Sequence, residues 1–196
     1  MYGQHSIKYN SYMLYVIGGT SRSGKTLLAR RAVVEKQTPY FPLDALFGAL
    51  TYGAPQLGVT YESSLLIRPI KIWPVAKHLL NVLLKEERGY LVEGDSILPS
   101  QINELTIEKH PVRCCFLGYT EMTKDEKLAL IRKYHQGDID WTRGISDEKM
   151  LPMIDEMAQF SKYLRDECAK YKIKYFDVSH DFEGVHNMAF EYLFVE

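Results

Sequence analysis

Cysteine is scarce in this chain: three residues in 196, two of them adjacent at Cys114 and Cys115. Three thiols cannot build a disulfide framework, so the chain fits a reducing compartment. Cys114 and Cys115 fall inside an apolar run and read as buried strand thiols, not as a metal site or nucleophile. A surplus of one charge is also missing. The net charge is −1, which gives no basic excess to mark nucleic acid or an anionic membrane as a partner. No apolar run approaches the ~20 residues that cross a bilayer. The N-terminus lacks a basic region followed by a long apolar core, so no secretory signal is expected and the cytoplasm is the expected compartment. The six histidines show no metal-ligand spacing, and no cysteine sits near His180 or His186. Repeats, low-complexity tracts and Pro/Gly/Ser linkers are absent, so residues 1–196 are expected to form one domain with a full core, either a monomer or a homodimer.

What the chain does have is Gly19-Thr20-Ser21-Arg22-Ser23-Gly24-Lys25-Thr26. This octapeptide fits G-x-x-x-x-G-K-[ST] at every fixed position. Glycines let the backbone curl so that several N–H groups point at one anion. Lys25 adds a point charge that reaches β- and γ-phosphates, and the Thr26 hydroxyl suits Mg²⁺. The positive end of the following helix faces the same phosphates. The flanks agree: residues 12–17 form an apolar run of strand length, and residues 26–34 have helical spacing. A nucleoside triphosphate tail with Mg²⁺ is the implied ligand, held by residues 19–26.

The rest of the chain alternates strands with helices. Pro39 to Asp44 reads as a short extended piece ending in an acid, with Asp44 opening a helix as its N-cap. Residues 51–68 are turn-rich, within a substrate-side excursion expected near 45–70. Ile72 to Glu87 shows one apolar face, stopped by Gly89. Residues 90–93 form a strand ending at Glu93 and Asp95, followed by a short helix over 99–105. Residues 112–119 form another buried strand. Thr123 and Glu126 have capping-box spacing before a helix to about Tyr134. Residues 135–147 are polar and broken by glycines. A long helix over 150–170, a strand over 173–176 ended by Asp177, and a helix over 184–194 complete the chain. This order implies an α/β fold: a three-layer, doubly wound, five-stranded parallel sheet of the P-loop NTPase type. Ligands in such sheets bind outside the C-terminal strand ends, where the P-loop, Asp44, Glu93, Asp95 and Tyr119 all fall.

With these residues in place, the chain resembles the small P-loop kinases: the nucleoside monophosphate kinases and their relatives that phosphorylate small metabolites or antibiotics. The resemblance covers nearly the whole layout and is sharp only at the P-loop. It implies an ATP-dependent transfer of the γ-phosphoryl group to a small-molecule hydroxyl, with Lys25 at the transferred group. It further implies Asp44 as the acid that orients or deprotonates the acceptor. A lid near 132–147 would bring Arg132 and Arg143 to the phosphoryl group, and an adenine-side loop would begin at Asp177. Glu93 or Asp95 would join Thr26 in holding Mg²⁺; the sequence leaves open which. Asp44 could equally be only a helix cap, and Arg68 either meets an acidic substrate or is a surface charge. A standard adenylate or guanylate kinase fits poorly, since residues 45–80 hold Arg68 and two lysines alone as cations. The other reading is a regulatory P-loop protein, although the chain has no N-K-x-D guanine motif and no transporter-ATPase signature.

Overall fold

The apolar runs that lack charge become the inner strands. In the computed structural model, which describes residues 13–86, 89–107, 111–134 and 140–194, β1 (Leu14–Gly19) is buried along its whole length. β4 (Val112–Gly118) is buried from Cys114 onward. β2 (Tyr40–Pro42), β3 (Tyr90–Glu93) and β5 (Lys174–Asp177) complete one sheet in the order β2-β3-β1-β4-β5, with every pair parallel. Strands buried on both faces read as continuous hydrophobic runs, which is why β1 and β4 show no alternation. The polar lead-in at residues 1–12 and the centre of the expected lid, residues 135–139, lie outside the described residues.

Right-handed crossovers decide which helices go where. The chain leaves β1 through α1 (Lys25–Lys36) toward β2 on one side of the sheet, and passes from β3 through α4 (Pro99–Ile107) to β4 in the opposite direction. α1 and α4 therefore fall on opposite faces. α7 (Phe182–Phe194) packs with α1, and α6 (Asp147–Tyr171) packs with α4 and crosses β4 and β5. Tyr15 and Phe194 meet with ring centroids 4.6 Å apart, tying β1 to the α7 side.

Local signals hold where the chain is self-contained. The helix α5 (Lys124–Lys133) starts on the expected capping box, with Thr123 and Glu126 bonding reciprocally. It is held to α6 by a satellite cluster of Ile131, Met150 and Ile154, each burial contributing about 1.5–3 kcal/mol. The excursion is more ordered than its turn residues suggest. α2 (Leu43–Gly53) continues past the expected end at Leu50 and leads into a 3₁₀ turn over Pro55–Leu57. α3 (Ile67–Leu83) begins five residues earlier than the periodicity indicates and contains Pro74. Asp44 is not the cap of α2: that position is Pro42, and Asp44 sits in the first turn. Its carboxylate is thereby released from a capping role. Among the described residues, no helix is long and apolar enough to cross a membrane, and the three cysteines are free and buried.

Candidate active site

At the C-terminal strand ends the eight P-loop residues wrap from β1 into α1. Two glycines make the curl possible. Gly19 has φ +138, and a Cβ there would lie 2.0 Å from the Leu117 carbonyl oxygen; Gly24 has φ +93 and is closed off by the His186 ring. Arg22 between them also takes a left-handed φ of 64, a conformation that costs a non-glycine residue about 1–3 kcal/mol and survives where neighbours enforce it.

Those neighbours hold the loop by its carbonyl groups. The Thr20 carbonyl accepts from Lys25 Nζ and Ser23 Oγ, both at 2.8 Å. The Ser21 carbonyl faces the Tyr119 hydroxyl at 3.4 Å. Lys127 Nζ donates to the Arg22 carbonyl at 2.9 Å. His186 Nε2 lies 3.1 Å from the Ser23 carbonyl; a carbonyl can only accept, so this nitrogen carries the hydrogen. Burial lowers the pKa of His186, which favours that neutral ring. Four consecutive carbonyls thus have side-chain partners, that of Thr20 from within the loop and those of Ser21, Arg22 and Ser23 from outside it; a loop of this kind offers its N–H groups to an anion.

The acids stand on one side of this loop. Glu93, 3% exposed, accepts from Thr26 Oγ1 at 3.2 Å. Burial raises its pKa, while Lys25 and the Thr26 hydroxyl oppose the rise. Asp95 accepts from Ser21 Oγ at 2.6 Å. Thr26 and Glu93 form an oxygen donor set of the kind a hard divalent cation accepts when phosphate and water supply the remaining ligands. Asp44 faces the same charges. Enclosure by the cleft wall and the charge of Asp95 push its carboxyl up to about 7, against Lys25 and Arg68. Its side chain stays open to cleft solvent, which tempers the shift. Gly94 lets the start of α2 approach, since a Cβ there would lie 2.8 Å from the Leu43 Cβ. Arg68 is fixed by the carbonyls of Ser63 and Tyr61 at 2.9 and 2.6 Å and lies over the Phe47 and Tyr61 rings. It is therefore neither a loose surface charge nor an unattached ligand clamp.

A cleft of ≈ 620 Å³ is lined by the charged and polar Lys25, Thr26, Asp44 and Glu93 and by the apolar Met122, Leu130, Val178 and Phe182. Of the residues expected in a lid, Arg132 bonds Asp147 Oδ1 at 2.7 and 2.9 Å and the carbonyls of Thr142 and Ile145. Arg143 is exposed and does not line the cleft. The cations that do line it beside Lys25 are Arg22 and Lys127. Arg22 pairs at 2.8 Å with Asp140, whose side chain is fully buried. Asp177 does not line the cleft either. Hydrogen bonds from Ser179 and Thr120 overcome the effect of its burial and hold its carboxyl low, so it shapes the loop whose Val178, Ser179 and His180 form the wall. Lys127 and His186 were not legible as site residues. The one signal for Lys127 is its place four residues before Ile131, on the buried face of α5.

No protein-family profile and no curated protein matches the chain. Solved structures do. A gluconokinase from Sinorhizobium meliloti aligns with a TM-score of 0.57 at 15% identity, covering 93% of this chain and 91% of that one. A shikimate kinase from Bacteroides thetaiotaomicron aligns with a TM-score of 0.55 at 14% identity, covering 91% and 94%. An uncharacterized protein from Eubacterium ventriosum gives 0.51 at 14% identity, covering 93% and 98%. The chain has the α/β fold of these proteins, the expected five-stranded parallel sheet included.

Proposed function

We propose that this protein is an ATP-dependent kinase that transfers the γ-phosphoryl group to a hydroxyl of a small molecule. The observation that carries this reading is the meeting of Lys25, Thr26, Glu93 and Asp44 in one cleft, with Asp44 freed from helix capping. Two of the chains that share the fold, the gluconokinase and the shikimate kinase, support it.

In this reading the triphosphate lies in the loop formed by residues 19–26, with its base toward the apolar Met122, Leu130 and Phe182. Transfer of a phosphoryl group needs positioning and positive charge more than covalent help. Lys25 and Arg22 supply charge at the phosphates. Thr26 and Glu93, with Asp95 beside them, would hold Mg²⁺, which would supply further positive charge to the phosphates. Asp44 accepts the proton of the acceptor hydroxyl; a carboxylate poised near neutral pH is suited to that exchange. Tyr61 and Arg68 border the acceptor side. Arg132 organises the lid, and Arg143 approaches the phosphates only if the lid rearranges.

The test is ADP release by the purified protein across a panel of small hydroxyl compounds, with ATP and Mg²⁺. Release should depend on an acceptor and should vanish in Lys25→Met, whose melting temperature should stay near that of the wild type. Equal turnover in Lys25→Met, or hydrolysis indifferent to every acceptor, would overturn the kinase reading.

A further inference from the structure

Lys127 is the least expected side chain in the cleft. It is 5% exposed, donates to the Arg22 carbonyl at 2.9 Å, and lies over the Tyr119 ring with Nζ 3.7 Å from the centroid. The charges that act on it are Arg22 from the loop and Lys25 from the first turn of α1, both positive. Asp140 is occupied with the Arg22 guanidinium and with Thr142. From α6, Met150 and Ile154 pack on Ile131, one turn further along α5. A ring face and a carbonyl dipole are modest compensation for a buried ammonium beside two other cations.

We infer that Lys127 is the proton-linked member of the phosphate site: a triphosphate seated in the loop draws a proton onto its amine. The inference rests on the nucleotide site proposed above. Without an anion, burial and the two neighbouring cations lower the affinity of Lys127 for its proton to about 7. Several negative charges on the far side of the Arg22 peptide reverse that balance and favour the ammonium. The recharged ammonium still donates to the Arg22 carbonyl, so the loop keeps its shape while gaining a positive charge. The proton comes from solvent, and no covalent bond changes. By linkage, nucleotide affinity is greatest where Lys127 is already charged. It declines as pH rises above about 7, by as much as ~10-fold per pH unit until the bound-state value is reached.

Calorimetric titration of the full chain with ATP and Mg²⁺ near pH 8, in two buffers of different ionisation heat, reads the protons directly. The wild type should take up at least about half a proton more per nucleotide than Lys127→Arg, because arginine stays charged throughout. Lys127→Arg should bind with similar affinity, and Lys127→Met at least ~10-fold more weakly, the order of one lost charge-assisted contact. The same proton count in wild type and Lys127→Arg would overturn the inference and leave the nucleotide site standing. Absence of binding heat in the wild type would instead remove the nucleotide site, and this inference with it. Should a variant fail to fold, the pH dependence of wild-type affinity decides alone: affinity unchanged between about pH 7 and 9 refutes the linkage.

Discussion

Replacing Gly19 by alanine tests whether the P-loop is fixed by the sheet. The added methyl would stand 2.0 Å from the Leu117 carbonyl oxygen and 2.7 Å from the Leu117 nitrogen. Both atoms are backbone of a fully buried residue in β4, and that carbonyl already accepts from Thr20 N–H at 3.0 Å. No rotamer change can relieve the clash, so β1 must move away from β4 where the loop begins. Two penalties add: about 1–3 kcal/mol for forcing a non-glycine residue to φ +138, and about 1–3 kcal/mol for the overpacking. Gly58 provides the control, since its φ is +66 and nothing lies within 4 Å of its Cβ position. There alanine meets the conformational penalty alone, about 1–2 kcal/mol. Urea unfolding of the two variants should separate them by about 2 kcal/mol, the middle of the overpacking range. For a chain of this size that corresponds to a melting difference of roughly 4–8 °C. Equal losses would show that the strand end adapts freely and that the loop is not held by its register on β4.

Asp44→Asn should lower kcat by about 10²–10⁴ with little change in acceptor KM, the usual range for a lost general base; a raised KM alone would mark Asp44 as a binding residue. A base must be ionised, so the wild-type rate should climb with pH through about 7, and Asp95→Asn should move that limb to lower pH by removing a charge that raises it. Glu93 has its pKa raised by burial, so the folded state binds more protons than the unfolded state and loses stability as pH rises through the carboxylate range. Glu93→Gln should therefore melt higher than the wild type at pH 8, with the gap closing toward pH 4, while binding Mg²⁺–nucleotide more weakly. A lower melting point at pH 8 would refute that trade.

Contiguous features were legible in the sequence. The octapeptide announces itself because one loop must satisfy one anion with residues adjacent in the chain. The Thr123–Glu126 capping box is legible for the same reason. The sheet follows from alternating apolar runs, and its C-terminal edge correctly gathered Asp44 and Glu93. The excursion was harder to read: Gly53, Pro55 and Gly58 signal turns, but nothing in the local pattern shows Ile67 already helical or Pro74 tolerated inside α3. The expected lid arginines were read from their position in the chain alone. Arg132 lies at the expected place in the chain, and its guanidinium bonds Asp147 and the carbonyls of Thr142 and Ile145.

By itself the sequence determined the glycine-bounded loop of residues 19–26, the parallel sheet and the edge of the sheet at which the cleft opens, because those depend on local backbone freedom and on the period of apolar residues. Only the tertiary structure decided which cations face the cleft, that Asp44 is free of capping, and that Lys127 and His186 grip the loop by its carbonyls. Those contacts span 105 and 163 residues. A hydrogen bond across such a distance leaves no periodicity or spacing along the chain; it exists only once packing has brought α5 and α7 against the loop.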